Sequence, residues 1–374
     1  MASSIDSVSS TKELWTKLKQ LNVINGASDS IKYNNTCDDI NTFFGEHFTQ
    51  DPTPPSIPPE NIHGFSFTHC SELDVSNTIF SISSNAIGLD GIPLRFIKVI
   101  LPSVITPLTY LCNLFITSAK FPRAWKVAKI IPIRKKPSNS DLNNLRPISI
   151  LCSLSKVFEK ILKNQIQVHI QRFNLLSPYQ SGFRSEHSTT TALLKVHDDL
   201  HRFIDKKGVG FLLLIDFSKA FDRVSHVKLL HKLSHEFNFS REAVFLIKSY
   251  LSSRTQVVEI NGHLSSLLYI LSGVPQGSVL GPLLFSLFIN DLPSVLKVCC
   301  IHMFADDVQL YLRTTGTNLI NVAQLPNSDL DKVSQWSLSN FLPINSSKTK
   351  ALFISRRQTH TILPDMFINN ERNM

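Results

Sequence analysis

The sequence contains few cysteines, and their spacing argues against a metal or disulfide framework. Its six cysteines include no C-x2-C pair, a spacing found in many zinc and redox sites. Residues 1–10 are polar and lack the apolar core of a secretory signal peptide. Together these absences predict reduced thiols in an intracellular protein, located in the cytoplasm, the nucleus or both and not secreted.

The sequence also lacks an uninterrupted apolar run of membrane-spanning length. Residues 99–119 come nearest, but Pro102, Pro107 and Asn113 interrupt them. A transmembrane helix needs ~20 consecutive, mostly apolar residues. This segment is therefore predicted to be a buried helix, and no membrane partner is expected.

Acidic residues are outnumbered by basic ones. The chain of 374 residues has 38 Lys and Arg against 29 Asp and Glu, a net charge of +9, while charged residues make up only 18% of it. A basic surface fits a polyanionic partner such as nucleic acid, although such a balance is also common in other soluble proteins. At this length, and with 43% hydrophobic residues, the chain can form two or three subdomains with their own cores.

Three aspartates stand at the ends of apolar runs. Asp216 ends the run 211–215, and Asp306 with Asp307 lies in the tetrad FADD between two further runs. Carboxylate oxygens suit Mg²⁺, and two such ions roughly 3.5–4 Å apart can activate an attacking hydroxyl and stabilise the leaving oxygen in phosphoryl transfer. An Asp-Asp pair between strands is also an ordinary hairpin turn. The surrounding segments decide between these interpretations.

Residues 211–226 read FLLLIDFSKAFDRVSH, and residues 272–285 read SGVPQGSVLGPLLF. Together with FADD at residues 304–307, they resemble motifs A, B and C of reverse transcriptases, most closely those of non-LTR (LINE-type, jockey-like) retrotransposons. The resemblance extends to other blocks, in the order of that family. These are 84–93 for the N-terminal extension, 145–151 with 155–160 for the first fingers block, 180–184 with 188–189 for the second, and 342–349 for motif D. The first of them departs from the family at Asn85, where a lysine is usual.

The resemblance implies an α+β right-hand polymerase fold with fingers and palm, the palm being a split βαβ antiparallel sheet with helices. Apolar periodicity agrees, since it predicts a strand at 211–215 and an amphipathic helix at 153–170. It also predicts a helix after Gln276, where apolar residues recur at helical spacing at 280, 283, 284, 287 and 288. The predicted ranges are a polar spacer at 1–50, a Pro-rich linker at 51–62, fingers with the N-terminal extension at 63–205, palm at 206–356, and the truncated start of a primer-grip and thumb region at 357–374. The thumb itself is expected to be missing.

The resemblance also assigns roles to single residues. Asp216 and Asp306 would hold two Mg²⁺ ions with Asp307 in support, and Lys348 would act as a general acid toward pyrophosphate. Phe221 would exclude a 2′-hydroxyl by its bulk, unless it is simply a core phenylalanine. The residues assigned to nucleotide binding are Phe217, Phe221, Gln276, Gly277, Lys135 and Arg146. The last two would otherwise be solvated surface cations.

The resemblance therefore implies an RNA-directed DNA polymerase that uses an RNA template, a DNA primer and dNTPs. An alternative is a catalytically inactive retrotransposon remnant, or a domesticated nucleic-acid-binding module with the same fold. An RNA-templated RNA polymerase is disfavoured by Phe221 and by the fingers blocks.

Overall fold

The structure is a computed structural model, and it describes residues 35–48, 64–84, 86–136, 141–205, 209–314 and 319–355, with the backbone of 366–368 and 371–373. The predicted linker and Asn85 lie outside these residues, as do most of the predicted spacer and most of residues 357–374. Helices and strands alternate along the described chain, which confirms a mixed helix and sheet fold. None of the six cysteines is in a disulfide, as predicted.

The helices are α1 Cys37–Gly45, α2 Glu72–Ser81, α3 Leu94–Thr117, α4 Ser153–Arg172, α5 Thr189–Ile204, α6 His226–His235, α7 Arg241–Leu251, α8 Gly281–Phe288 and α9 Leu319–Ser339. The strands are β1 Val127–Arg134, β2 Leu145–Ile150, β3 Val209–Ile215, β4 Arg254–Ile260, β5 His263–Leu264, β6 Leu268–Ile270, β7 Cys300–Phe304, β8 Asp307–Thr314, β9 Lys350–Ser355, β10 Met366–Ile368 and β11 Glu371–Asn373.

One sheet has five strands, which come from two distant parts of the chain. β1 pairs antiparallel with β2 and parallel with β4, and β4 also pairs with β5 and β6. β1 and β2 lie in the range predicted as fingers, whereas β4 to β6 lie in the range predicted as palm. The two ranges therefore share a sheet, and the boundary at residues 205 and 206 stays a prediction.

Helix α1 packs on this five-stranded sheet, although its sequence was interpreted as part of a polar spacer. Ile40 and Phe44 are buried in a small apolar core with Ile130 of β1. Nearby, the Nε2 of Gln256 donates a hydrogen bond of 2.9 Å to the Oδ1 of Asn41. Residues 37–45 are thus part of the folded core and bring their C-terminal end toward the sheet edge.

The second sheet has four antiparallel strands in the order β7-β8-β3-β9. Its central strand β3 is the predicted apolar strand, with Phe211, Leu213 and Ile215 buried on one face. On the other face, Leu212 packs against a small cluster that includes Leu200 of α5. Both faces are covered, as the continuous apolar run of β3 predicts.

The predicted helices are also present. α4 matches the predicted segment 153–170 and buries Val157, Phe158, Ile161 and Leu162, which recur at helical spacing. α8 begins with a proline in its first turn, where the missing N–H costs no intrahelical hydrogen bond. These helices and the four-stranded sheet share one large apolar core.

Helix α3 departs from its prediction. In the part of the chain that the structure describes, it is the one helix long and apolar enough to cross a membrane by length and composition, which is weak evidence for a span. It was predicted to be buried, yet only 17% of its most apolar window is buried. Ile97, Leu101 and Cys112 face the core, whereas Val99 and Tyr110 are exposed. Because one stripe packs inward, α3 is a surface helix and not a buried one.

The segment before β7 is anchored by a carboxylate of α9. The side chain of Asp329 is fully buried and accepts hydrogen bonds from the backbone N–H groups of Lys297, Val298 and Cys299, at 2.7–3.2 Å. Burial would raise the pKa of Asp329, but the N–H of Cys299, the Lys332 ammonium and the other two N–H groups lower it to about 2. This carboxylate therefore fixes the start of β7.

We expect Asp329→Asn to destabilise the protein by about 2 kcal/mol at pH 7, since one pKa unit corresponds to about 1.4 kcal/mol. The folded pKa lies below the unfolded value. The stabilisation is therefore complete above the unfolded pKa of about 3.9 and disappears as the pH falls toward 2. Thermal midpoints of parent and variant should differ by several degrees at pH 7 and converge below pH 4. Asp331→Asn, an exposed position on the same helix, is the control; equal midpoints for Asp329→Asn and the parent at pH 7 would contradict the anchoring role.

Candidate active site

The sheet register brings the three predicted aspartates together. β3 and β8 pair antiparallel with Ile215 opposite Val308, so that Asp216 and Asp307 are neighbours one residue beyond this pair. β7 and β8 form a hairpin in which Phe304 pairs with Asp307, and its two-residue turn contains Asp306. The FADD tetrad therefore forms a hairpin turn, and it also brings Asp306 and Asp307 next to Asp216 to form an aspartate cluster. Among the described residues, no three His, Cys, Asp or Glu side chains converge closely enough to form a ready-made metal site.

The charges of this aspartate cluster oppose one another. Burial raises the pKa of Asp306, and the charges of Asp307 and Asp216 raise it further, while Arg146 lowers it. Burial and the charge of Asp216 likewise raise the pKa of Asp307. A cation placed between the aspartates would relieve this repulsion.

The loop before β9, residues 343–349, fixes the backbone of Asp216. The N–H of Asn345 donates to the carbonyl of Asp216 at 2.7 Å, and the N–H of Asp216 donates to the Oγ1 of Thr349 at 3.3 Å. The Nζ of Lys348 lies 3.5 Å from the Oδ2 of Asp216, an atom that is buried and has no hydrogen-bond partner. Lys348 therefore reaches the cluster, as its place in motif D implied.

Phe221 packs on the core and also lines an open cleft beside Asp216 and Asp306. Its ring stacks on that of Phe285 in α8, with centroids 4.6 Å apart, and meets the ring of Phe183 edge-on at 6.2 Å. The N–H of Val274 donates to the carbonyl of Phe221 at 2.8 Å. The aromatic position of motif A is thus held from several sides. By contrast, the ring of Phe217 is buried near Trp336, so a contact from Phe217 to the cleft would come from its main chain.

Gln276 is held at both its main chain and its side chain. The N–H of Ser149 in β2 donates to the Gln276 carbonyl at 2.7 Å, and the Gln276 Nε2 donates to the Oδ1 of Asp222 at 2.9 Å. Gly277 has φ +116°, and a Cβ there would lie 2.5 Å from the Ser149 carbonyl oxygen. Only glycine fits this close approach of the loop to β2.

Lys135 and Arg146 line the same open cleft as Asp216 and Asp306, a space of about 670 Å³. The pKa of Lys135 is lowered, first by partial burial and then by the charges of Lys219, Lys348 and Arg146. Its Nζ donates to the carbonyl of Asn143 at 2.7 Å. These cations therefore crowd one another around a shared space and are not dispersed over the surface.

Three further residues of the cleft were missed by the sequence analysis. Asp222 is half-buried, and burial raises its pKa to about 6 although Gln276, Lys219 and Arg223 partly oppose the shift. Lys219 has a left-handed backbone, with φ +51°, and its ammonium lies 5.4 Å from the centroid of the Phe43 ring. His47, just after α1, also lines the cleft. Asp222 is the second aspartate of the segment 211–226, so the sequence could have indicated it. Nothing local in the sequence places His47 in the cleft.

The chain also matches a known protein family. The chain matches the family described as reverse transcriptase (RNA-dependent DNA polymerase) over residues 133–363, more than half of its length. The RNA-directed DNA polymerase from mobile element jockey of Drosophila melanogaster is 30% identical over 293 residues, 76% of this chain and 32% of that protein. The probable RNA-directed DNA polymerase from transposon X-element of the same species is 32% identical over 294 residues, 76% of this chain and 32% of that protein. The probable RNA-directed DNA polymerase from transposon BS, also of this species, is 32% identical over 271 residues, 70% of this chain and 29% of that protein.

The chain spans about a third of the length of these curated relatives. The family match nevertheless includes all three aspartates, the Gln276 loop and Lys348. The chain therefore belongs to the reverse transcriptase family, and it is similar to the RNA-directed DNA polymerases of jockey-like and other non-LTR retrotransposons.

Proposed function

We propose that this chain carries the polymerase centre of a non-LTR retrotransposon enzyme, which copies an RNA template into DNA from a DNA primer and dNTPs. The observation that carries the proposal is the register of β3 and β8, which makes Asp216 a neighbour of the Asp306–Asp307 turn at one wall of a cation-lined cleft. In the reaction, the primer 3′-hydroxyl attacks the α-phosphate of a dNTP, and pyrophosphate leaves.

The aspartate cluster fits magnesium ions by its donor chemistry. The Oδ2 of Asp216 is buried without a hydrogen-bond partner, and the pKa values of Asp306 and Asp307 are raised by burial and by neighbouring carboxylates. Hard carboxylate oxygens of this kind suit Mg²⁺. Asp216 and Asp306 would hold two Mg²⁺ ions with Asp307 in support. When bound, the ions would lower the pKa of the attacking hydroxyl and stabilise the leaving oxygen.

The opposite side of the cleft fits the nucleotide. Arg146 offers a planar fork and Lys135 a compact charge for triphosphate oxygens. Gln276, oriented by Asp222, would lie beside the incoming nucleotide, and the glycine at 277 permits the backbone to come close to it. Phe217 would contribute its main-chain carbonyl to the metal and nucleotide site.

The position of Lys348 supports a role as a general acid. It is largely exposed and lies 3.5 Å from Asp216, so it would be near the reacting phosphates and could exchange protons with water. We propose that it protonates the departing pyrophosphate.

The same proposal assigns the subdomains. The helices and strands of residues 63–205 form the fingers, and residues 206–356, which contain the antiparallel sheet β7-β8-β3-β9, form the palm as a split βαβ unit. The antiparallel pairing of β10 with β11 supports the assignment of residues 357–374 to a primer-grip region.

Primer extension with poly(rA) template and oligo(dT) primer tests the activity. We expect Asp306→Asn to reduce extension by about 10³-fold or more, because it removes a metal ligand worth several kcal/mol in the transition state. Because the folded pKa of Asp306 is raised, its ionised form is disfavoured, and the amide should leave the thermal midpoint unchanged or higher at pH 7. Asp198→Asn, at an exposed helix position, is the control. An Asp306→Asn variant that extends primers at the parental rate would refute the role of Asp306, whereas a parent that binds primer and template but extends nothing would favour the nucleic-acid-binding module.

Phe221→Val tests the exclusion of ribonucleotides. Removing the ring opens the space that a 2′-hydroxyl needs, so the ratio of kcat/KM for dNTP over rNTP should fall by about ten-fold or more. Stability should fall as well, because the ring stacks on Phe285. Phe288→Leu, a fully buried position on α8, should lower stability without changing the ratio. If both variants leave the ratio unchanged, Phe221 is merely a core residue.

Asp222 gives a pH-dependent prediction. Its folded pKa of about 6 lies above the unfolded value, so ionisation costs stability progressively from about pH 4 to pH 6, and the loss persists above pH 6. Asp222→Asn keeps an oxygen that accepts from Gln276 and removes this cost. Its thermal midpoint should match the parent's near pH 4 and exceed it above pH 6, by the equivalent of about 2–3 kcal/mol. Asp222→Ala, which removes the acceptor, should raise the KM for dNTP several-fold, whereas Asp222→Asn should not. Midpoints of parent and Asp222→Asn that stay parallel from pH 4 to 8 would disprove the raised pKa.

A further inference from the structure

Residues 179–181 run beside β7 and pair with it through a single bridge. The N–H of Met303 donates to the carbonyl of Tyr179, and the N–H of Ser181 donates to the carbonyl of Met303, both at 2.8 Å. These bonds form a parallel bridge between Gln180 and Met303. The block that resembles a fingers motif is therefore attached directly to the strand that leads into the catalytic turn.

The side chain of Gln180 contacts that turn with both ends of its amide. It is fully buried. Its Oε1 accepts hydrogen bonds from the N–H of Ala305 at 3.0 Å and from the N–H of Gly182 at 2.7 Å, and its Nε2 donates to the carbonyl of Ala305 at 3.4 Å. Two backbone donors on one amide atom define which end is the oxygen. One side chain thus satisfies both polar backbone groups of the residue before Asp306.

The backbone of Ala305 needs such support. Its φ is +57°, in the left-handed region, which costs a residue with a Cβ roughly 1 kcal/mol. The backbone of Gly182 also packs directly against Ala305. A Cβ at position 182 would lie 2.2 Å from the backbone nitrogen of Ala305, so a side chain cannot be accommodated there. The close approach at Gly182 and the amide of Gln180 therefore act together on Ala305.

We infer that Gln180 is a positioning residue, whose buried amide holds the Ala305–Asp306 turn in the conformation that presents Asp306 and Asp307 to the cleft. Without the amide, the N–H and C=O of Ala305 would be left unpaired in a buried site, which favours rearrangement of the turn. Catalytic side chains must keep their geometry closely, since a displacement of about 1 Å can reduce the rate by about 100-fold. The inference rests on the proposed polymerase function only for its kinetic consequence.

Ser181, next to Gln180 in the same segment, offers a matched control. It is buried, and its Oγ lies 3.1 Å from the Nε2 of His302. That contact stabilises the pairing with β7 but does not touch Ala305. Loss of general stability would affect variants at both positions, whereas loss of turn positioning would affect only variants at Gln180.

The experiment compares Gln180→Met and Ser181→Ala with the parent, as the full 374-residue chain. Met has a similar length but can neither donate to nor accept from the Ala305 backbone. In Gln180→Met, amide hydrogen exchange across residues 304–308 should accelerate about ten-fold or more, because breaking a hydrogen bond opens that turn locally. Its kcat for primer extension should fall by about 10–100-fold, with the KM for dNTP within about two-fold of the parent. Ser181→Ala should leave exchange at the turn and kcat within about two-fold of the parent.

Two results would overturn the inference. One is unchanged exchange at residues 304–308 in Gln180→Met. The other is accelerated exchange with an unchanged kcat, which would mean that catalysis does not depend on this support. If Gln180→Met fails to fold, Gln180→Asn replaces it, because the shorter amide cannot reach both backbone groups of Ala305. If the parent itself does not extend primers, the proposed function fails, and the exchange comparison alone still decides whether Gln180 holds the turn.

Discussion

The site depends on one constraint, which is that carboxylates that repel one another must be held side by side. The raised pKa values of Asp306 and Asp307 show that their ionised forms are disfavoured in the absence of a cation. The opposing force is backbone pairing. The ladder between β3 and β8 continues from Val209 opposite Thr314 to Ile215 opposite Val308, and β9 flanks β3 on its other edge. Asp216 and Asp307 directly follow the last pair of this ladder. A shift of one residue in the pairing of β3 with β8 would therefore separate them.

Backbone contacts extend this constraint to the part of the cleft formed by the Gln276 loop. The turn that follows Asp216 and the loop that carries Gln276 are joined by backbone hydrogen bonds, with the N–H of Gly273 donating to Val224 at 2.8 Å. A Cβ at Gly273 would lie 2.6 Å from the carbonyl oxygen of Asp222, so the two segments touch directly. Glu159 of α4 adds a further support. Its buried carboxylate accepts from the N–H groups of Val279 and Leu280 just before α8, at 2.9 and 3.1 Å. The Gln276 loop is therefore fixed at its beginning, middle and end.

Much of this arrangement could be predicted from local sequence. The apolar run of β3, the helical spacing of α4 and α8, and the FADD turn are patterns within about twenty residues, and each is present as predicted. What could not be predicted depends on contacts between distant segments. The docking of α1 rests on Asn41 meeting Gln256, and the support of Ala305 rests on Gln180, which is 125 residues earlier. The exposed face of α3 was mispredicted because composition alone does not reveal which side of an apolar helix has a partner.

The charges around the cleft are unbalanced on both of its sides. The pKa values of Asp306, Asp307 and Asp222 are raised, and those of Lys135 and Lys219 are lowered, with burial the largest cause in every case. Cations and anions therefore line one cleft, and burial disfavours the charged form of each of these groups. Among the described residues, Lys348 forms an ion pair with Asp216, with its Nζ 3.5 Å from the Oδ2. A ligand that carries phosphates toward the cations and divalent metal toward the aspartates would stabilise both sets of charges at once. The placement of these charges before a ligand binds is the electrostatic preorganisation that the proposed polymerase reaction requires.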